Sequence, residues 1–276
     1  MGKTLRILAA VIALMLMLAW LASYSFNSMV DDEIHVLTSS AGAGDSLFIT
    51  ESAIQRLPYP VQKWMHRSGV IGKKVPTIVY LTQKGSLRTG PKSKWMPAEA
   101  EQYFNTAIPS FIWKVHARMN FFVGFAGRDK LEDGHGNMLI KLFAAIPVVN
   151  ASGPATDQGS LLRYLGEMCW FPAAAIRPYI SWKEIDENSA EATIRQNGTQ
   201  CCGIFRFNRD GDIISFEANR YMQQDGSISL QKWYIPIKEW KTISGVRIPV
   251  RGDVIWKLSG GDFNYFKWEI TGISYQ

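Results

Sequence analysis

The sequence predicts an α+β protein built on a large, curved antiparallel sheet, half-barrel-like and of about ten strands. About three helices cover the sheet, and a transmembrane helix precedes it. Three observations carry this expectation. Apolar residues recur at helical spacing in only a few stretches, alternation with a period of two dominates the remainder, and short turn-forming segments join the alternating stretches so closely that neighbouring strands run antiparallel.

The N-terminal element comes first. Lys3 and Arg6 precede sixteen consecutive apolar residues, Ile7 to Ala22, and Ser23 to Phe26 extend the run with mild polarity. About 20 helical residues cross a bilayer. A cleaved secretory signal is the alternative, but its apolar core is usually shorter, and Ser23-Tyr24-Ser25 is a mediocre cleavage site. Basic residues before the span and Asp31, Asp32 and Glu33 after it orient the rest of the chain away from the cytoplasm. Residues 1–30 are therefore read as the anchor, residues 31–50 (small and polar) as a tether, and residues 51–276 as one exported domain. The expected location is the inner membrane, single-pass, with a periplasmic C-terminal domain.

Helices are expected at Glu51 to Arg67, where Leu57, Val61, Trp64 and Met65 share a side, and at Pro97 to Phe104, rich in Ala and Glu. A third, Asp157 to Cys169, carries the stripe Leu161, Leu162, Leu165, Met168 and Cys169 and stops before Pro172. Strands are expected at Val75 to Gln83, Phe111 to Met119, Phe121 to Leu131 and Asn137 to Val149. Six more follow at Ala190 to Gln196, Cys202 to Asn208, Ile213 to Tyr221, Ile228 to Ile235, Val246 to Leu258 and Asn264 to Ser274. In Phe111 to Met119 the alternation gives Lys114, His116 and Arg118 to a solvated face.

Composition excludes several classes. With 47% hydrophobic and 20% charged residues the chain is not disordered. Without Lys3 and Arg6, 28 basic residues face 24 acidic ones, a net charge of +4 too dispersed to argue for nucleic acid. No G-x-S-x-G, H-E-x-x-H, C-x-x-C or G-x-G-x-x-G occurs, and His35, His66, His116 and His135 lack metal-type spacing, so neither cofactor nor metal is expected. The acidic turn after Asp129 fails the EF-hand spacing at Leu131. Cys169 faces a choice between pairing with Cys201 or Cys202 and packing as a free thiol.

The densest cluster is Leu161 to Pro172. Arg163 and Glu167 lie four apart on one helix, either as a surface pair or at the mouth of the sheet's concavity. In the second case Arg163 meets the polar head of a ligand, and Trp170 or Trp182 its apolar body. Trp113 and Arg220 complete the expected ligand-binding set, and Trp233, Trp256 and Trp268 also fall in strand-like stretches.

This cluster also carries a resemblance. Leu57-Pro58 with Pro60-Val61, Trp95 with Pro97, Phe111-Ile112-Trp113, Arg163-Tyr164-Leu165 with Glu167, and Trp170-Phe171-Pro172 follow one another in order. Trp182 with Asp186, Ser189 and Ala190, Phe207 with Asp210-Gly211, Arg220-Tyr221, and Gly245 with Ile248-Pro249 continue the series. Over residues 55 to 275 the chain resembles an uncharacterised bacterial family of membrane-anchored proteins, a domain of unknown function. That resemblance implies no activity and no catalytic residues. In architecture alone, the helix-covered curved sheet is similar to periplasmic lipoprotein carriers of the LolA and LolB type.

The leading expectation is a membrane-tethered domain that binds a lipid or other hydrophobic small molecule between sheet and helices. The alternatives are an envelope interaction protein with a filled core and an exposed face at Lys114, His116 and Arg118, and a motif-less hydrolase built on Asp129, Glu167 or His135. The topology is checked directly: a phosphatase fused after Gln276 is expected to be active, whereas a reporter that works only in the cytoplasm is expected to be silent there.

Overall fold

A computed structural model of the chain describes residues 2–40, 47–121, 123–224 and 226–276. Helix α1 (Gly2–Ser39) is one unbroken element. Its N-terminal part is long and apolar enough to cross a membrane and is uncovered by the rest of the protein. The first nine residues of the expected tether, Asp31 to Ser39, continue this helix, and 41–46 lie outside the described residues.

Thirteen strands follow, three more than expected. They are β1 (Ile78–Leu87), β2 (Met96–Asn105), β3 (Ser110–Arg118), β4 (Gly124–Glu132), β5 (His135–Leu142), β6 (Ile146–Ser152) and β7 (Ile180–Asp186). β8 (Ser189–Gln196), β9 (Thr199–Phe207), β10 (Ile213–Gln224), β11 (Ser227–Ile243), β12 (Val246–Leu258) and β13 (Gly261–Tyr275) complete the series. All join one antiparallel half-barrel in the order β6-β5-β4-β3-β2-β1-β13-β12-β11-β10-β9-β8-β7. Two meanders are thus joined in mid-sheet by β1 and β13, with Val79 opposite Tyr275.

The expected helix over Pro97 to Phe104 is strand β2. Ala and Glu are good helix formers, but Ala98, Gln102 and Phe104 turn inward while Pro97 and Glu99 turn outward, and this period of two decides. Pro97 lies beyond the β2–β3 ladder, which ends at Ala98 opposite Ala117, so its missing N–H leaves that ladder intact. The long strand expected over Asn137 to Val149 is divided into β5 and β6 by a turn at Phe143 and Ala144, and β7 is the third addition.

Helix α2 (Glu51–Ile54) and helix α3 (Tyr59–Ser68) divide at Pro58 and Pro60. Helix α4 (Pro154–Glu167) continues into two 3₁₀ turns, Met168–Trp170 and Pro172–Ile176. The segment from α4 to the second 3₁₀ turn connects β6 to β7, the two outermost strands, and α4 packs on β5 from one side and on β9 and β10 from the other. Leu161, Leu162, Leu165 and Met168 are buried against the sheet together with Phe104, Phe171, Phe205 and Phe216. Gly166 of α4 and Gly203 of β9 make room for the Phe216 ring, which a Cβ at either position would strike.

On the opposite, convex face the C-terminal half of α1 covers the part formed by β1 to β5. Phe26, Val30 and Leu37 fall on one side of that helix and are buried with Ile78, Ile112, Ala126, Leu139 and Ala144. Charges frame this contact. Asp31 meets Lys114 at 3.0 Å, and Glu33 meets Arg128 at 2.9 Å and Lys130 at 3.1 Å. Lys114, expected on a solvated face, is therefore buried and is shared between Asp31 and Glu101. Cys169, Cys201 and Cys202 are all free; burial pushes the Cys201 thiol up to about 12, so it packs as a small apolar group.

Glu33→Ala leaves Arg128 facing α1 without a carboxylate and is expected to cost about 2 kcal/mol. Hydrogen exchange should then speed up in Met29 to Ser39 and not in β9 to β13.

Candidate functional site

Arg163 on α4 and Arg220 on β10 are guanidinium groups of the inner face that lie over tryptophan rings of the sheet. They differ in how their charge is met.

Arg163 is fully compensated. Its Nη1 donates to Asp129 Oδ2 at 2.7 Å and its Nε to Glu167 Oε1 at 2.8 Å, while Gln102 Nε2 donates to Glu167 Oε2 at 2.8 Å. The guanidinium lies 4.6 Å from the Trp113 ring centre and 5.0 Å from that of Phe111. Trp113 Nε1 in turn donates to Gln83 Oε1 at 3.0 Å. Only 12% of the Arg163 and Glu167 side chains is exposed, which excludes the surface-pair reading. Burial opposes the charge on Arg163, but Glu167 and Asp129 outweigh it and raise its pKa. Burial likewise raises the Glu167 carboxyl against the pull of Arg163. With Asp129 and Glu167 both bound to one guanidinium, the acidic pair considered for hydrolysis is held as an ion-pair network. His135, the other group considered, is exposed and pairs with Asp157.

Arg220 has no such partner among the described residues. Its guanidinium lies 4.6 Å from the Trp233 ring centre and 5.9 Å from that of Trp256. Nε is buried without a hydrogen-bond partner, next to Gly159 of α4. Among the described residues no carboxylate lies within ion-pairing distance of Arg220, whereas Arg128, Arg163 and Arg247 each meet one. Trp233 Nε1 donates to Tyr265 Oη at 3.0 Å, and Tyr265 stacks on Trp256, so the aromatic wall beside Arg220 is fixed in place.

The expected site residues are thus divided among several places. Arg163, Glu167 and Trp113 come together, joined by Asp129, a candidate among the acidic residues, and by Gln102 and Gln83, whose spacing in sequence gives no signal. Trp170 is buried edge-on to Trp268, with ring centres 5.3 Å apart. Trp182 sits on β7, donates to the Ala175 carbonyl and contacts Trp64 and Phe205. Arg220 joins Trp233 and Trp256 instead.

The space under α4 is packed with side chains. A cleft of about 110 Å³ lies at the other end, lined by Ile49, Val70, Phe171, Ala173 and Tyr275, and is small for a lipid. A groove of about 420 Å³ on the convex face is lined by Tyr80, Glu99, Glu101, Lys114 and His116.

The chain belongs to a family of unknown function, DUF6544, whose model matches residues 48–268. No curated protein matches it in sequence. Among solved structures it is similar to a DUF1329 family protein from Desulfovibrio piger, at 7% identity and a TM-score of 0.42, covering 83% of this chain and 94% of that one. It is also similar to a LolA superfamily protein from Nitrosomonas europaea, at 9% identity and a TM-score of 0.44, covering 78% and 93%.

Glu167→Ala, which leaves Arg163 with Asp129 alone, is expected to lower the unfolding free energy by about 3 kcal/mol. Glu167→Gln keeps an acceptor for Arg163 and should recover more than half of that loss. Denaturant titration of both variants checks the difference.

Proposed function

We propose that the protein is an extracytoplasmic binder of acidic amphiphiles, held to the inner membrane by α1, with residues 51–276 as its single exported unit. The observation that carries this reading is Arg220: a guanidinium on the inner face, laid on two tryptophan rings and met by no carboxylate among the described residues. An unpaired, partly desolvated cation is costly, and an anionic head group supplies what the fold withholds. Trp233 and Trp256 offer broad, rigid apolar surface for the body attached to that head. Arg163, Glu167 and Trp113 form the neighbouring wall and hold α4 in register, and Trp170 and Trp182 support the core behind it.

The packing under α4 favours a second reading, an interaction protein whose core is filled by its own aromatic residues. One experiment separates the two. The full chain, kept in amphipol, is titrated with a polarity-sensitive fluorescent fatty acid and with the corresponding neutral alcohol. The acid should bind saturably and more tightly than the alcohol. Arg220→Ala should weaken acid binding about tenfold or more, the worth of one charge-assisted contact, and leave the near-UV circular dichroism unchanged. Equal binding of acid and alcohol, or no saturable binding, favours the interaction protein.

A further inference from the structure

The end of the sheet reached first by α1 carries an unusual set of turns. From Ile7 to Phe26 the helix rises about 28 Å at about 1.5 Å per residue, close to the thickness of a bilayer's hydrocarbon core. Phe26 is where the helix first becomes buried in the protein, and it packs there with Ala144 in the β5–β6 turn and lies under the Lys141 ammonium at 5.8 Å. Trp20 and Tyr24, stacked and exposed just before it, suit the aromatic belt found at a membrane boundary. The outer boundary of the hydrocarbon therefore falls level with the β5–β6 turn.

That turn and its neighbour expose large apolar side chains. Phe143 and Ile146 are 44% and 56% exposed, and Met119 and Phe121 in the β3–β4 turn are 54% and 95% exposed. The two turns are tied together, because the Phe143 N–H donates to the Gly124 carbonyl at 2.9 Å. Phe143 and Ala144 hold φ of 54° and 59°, left-handed values that Asn and Gly adopt more readily, and the result is a phenyl ring presented at the turn. Exposed Arg118 and half-buried Lys141 flank the patch.

We propose that the β3–β4 and β5–β6 turns, through Met119, Phe121, Phe143 and Ile146, sit in the interface of the same bilayer that α1 spans. The proposal rests on the reading of α1 as an anchor. The occupant is fixed by continuity: α1 runs without a break from the apolar span into the contact with these turns, so whatever solvates residues 7–25 also meets the turns. Arg118 and Lys141 then face the phosphates of the head groups.

The test uses the full chain in vesicles of phosphatidylcholine and phosphatidylglycerol that contain a nitroxide lipid quencher. A fluorophore is attached to Phe121→Cys, Leu16→Cys or Glu187→Cys, each in a Cys202→Ser background, where Cys169 and Cys201 are buried. Labels at positions 16 and 121 should be quenched several-fold more than the label at 187, which lies in the β7–β8 turn at the opposite end of the sheet. Quenching at 16 with none at 121 overturns the proposal alone and leaves the turns as a surface for a protein partner. Absence of quenching at 16 overturns the anchor reading and the proposal with it.

Discussion

A thirteen-stranded antiparallel sheet curls, and its curled inner face and two outer strands have to be covered. The connection from β6 to β7 meets the first need, while the outer strands β6 and β7 stay largely exposed. It leaves one edge, passes through the concavity as α4 and two 3₁₀ turns, and re-enters at the other edge. The aromatic core, the placement of Arg163 against Asp129 and the position of Gly159 beside Arg220 all follow from where that segment lies.

Three arginines at the contacts between elements are met by carboxylates. Arg128 is answered by Glu33, Arg163 by Asp129 and Glu167, and Arg247 by Asp212. Glu33, Asp129 and Asp212 come from elements or loops other than that of their arginine, so these ion pairs also fix α1, α4 and β12 relative to their neighbours, while Glu167 answers Arg163 from within α4. Arg220, walled by Trp233 and Trp256, meets no carboxylate among the described residues, and it differs in this from Arg163.

Much of this was legible in the sequence. The stripe from Leu161 to Cys169 gave α4, and strict alternation gave most strands of the C-terminal meander. The closeness of Arg163 to Glu167 followed from helical spacing alone. The rest depends on contacts between segments far apart in the chain. Local propensity favoured a helix at Pro97 to Phe104, while pairing with β1 and β3 imposed a strand. Asp31 and Glu33 looked like the solvated start of a tether because their partners, Lys114, Arg128 and Lys130, lie about a hundred residues away along the chain. The matched state of Arg163 and the unmatched state of Arg220 depend on strands brought together across the sheet, and no local pattern records such pairings.

The meeting of β1 and β13 in the middle of the sheet has a consequence for how the molecule comes into being. Val79 pairs with Tyr275, so the two meanders have no common hydrogen-bonded seam until the last strand has been synthesised. Local hairpins form early, but their union is a contact between distant parts of the chain, the kind that closes slowly. Until then β1 and β12 each present an unpaired edge, and the nascent protein passes through a stage in which two open half-sheets must find each other before either finds a stranger.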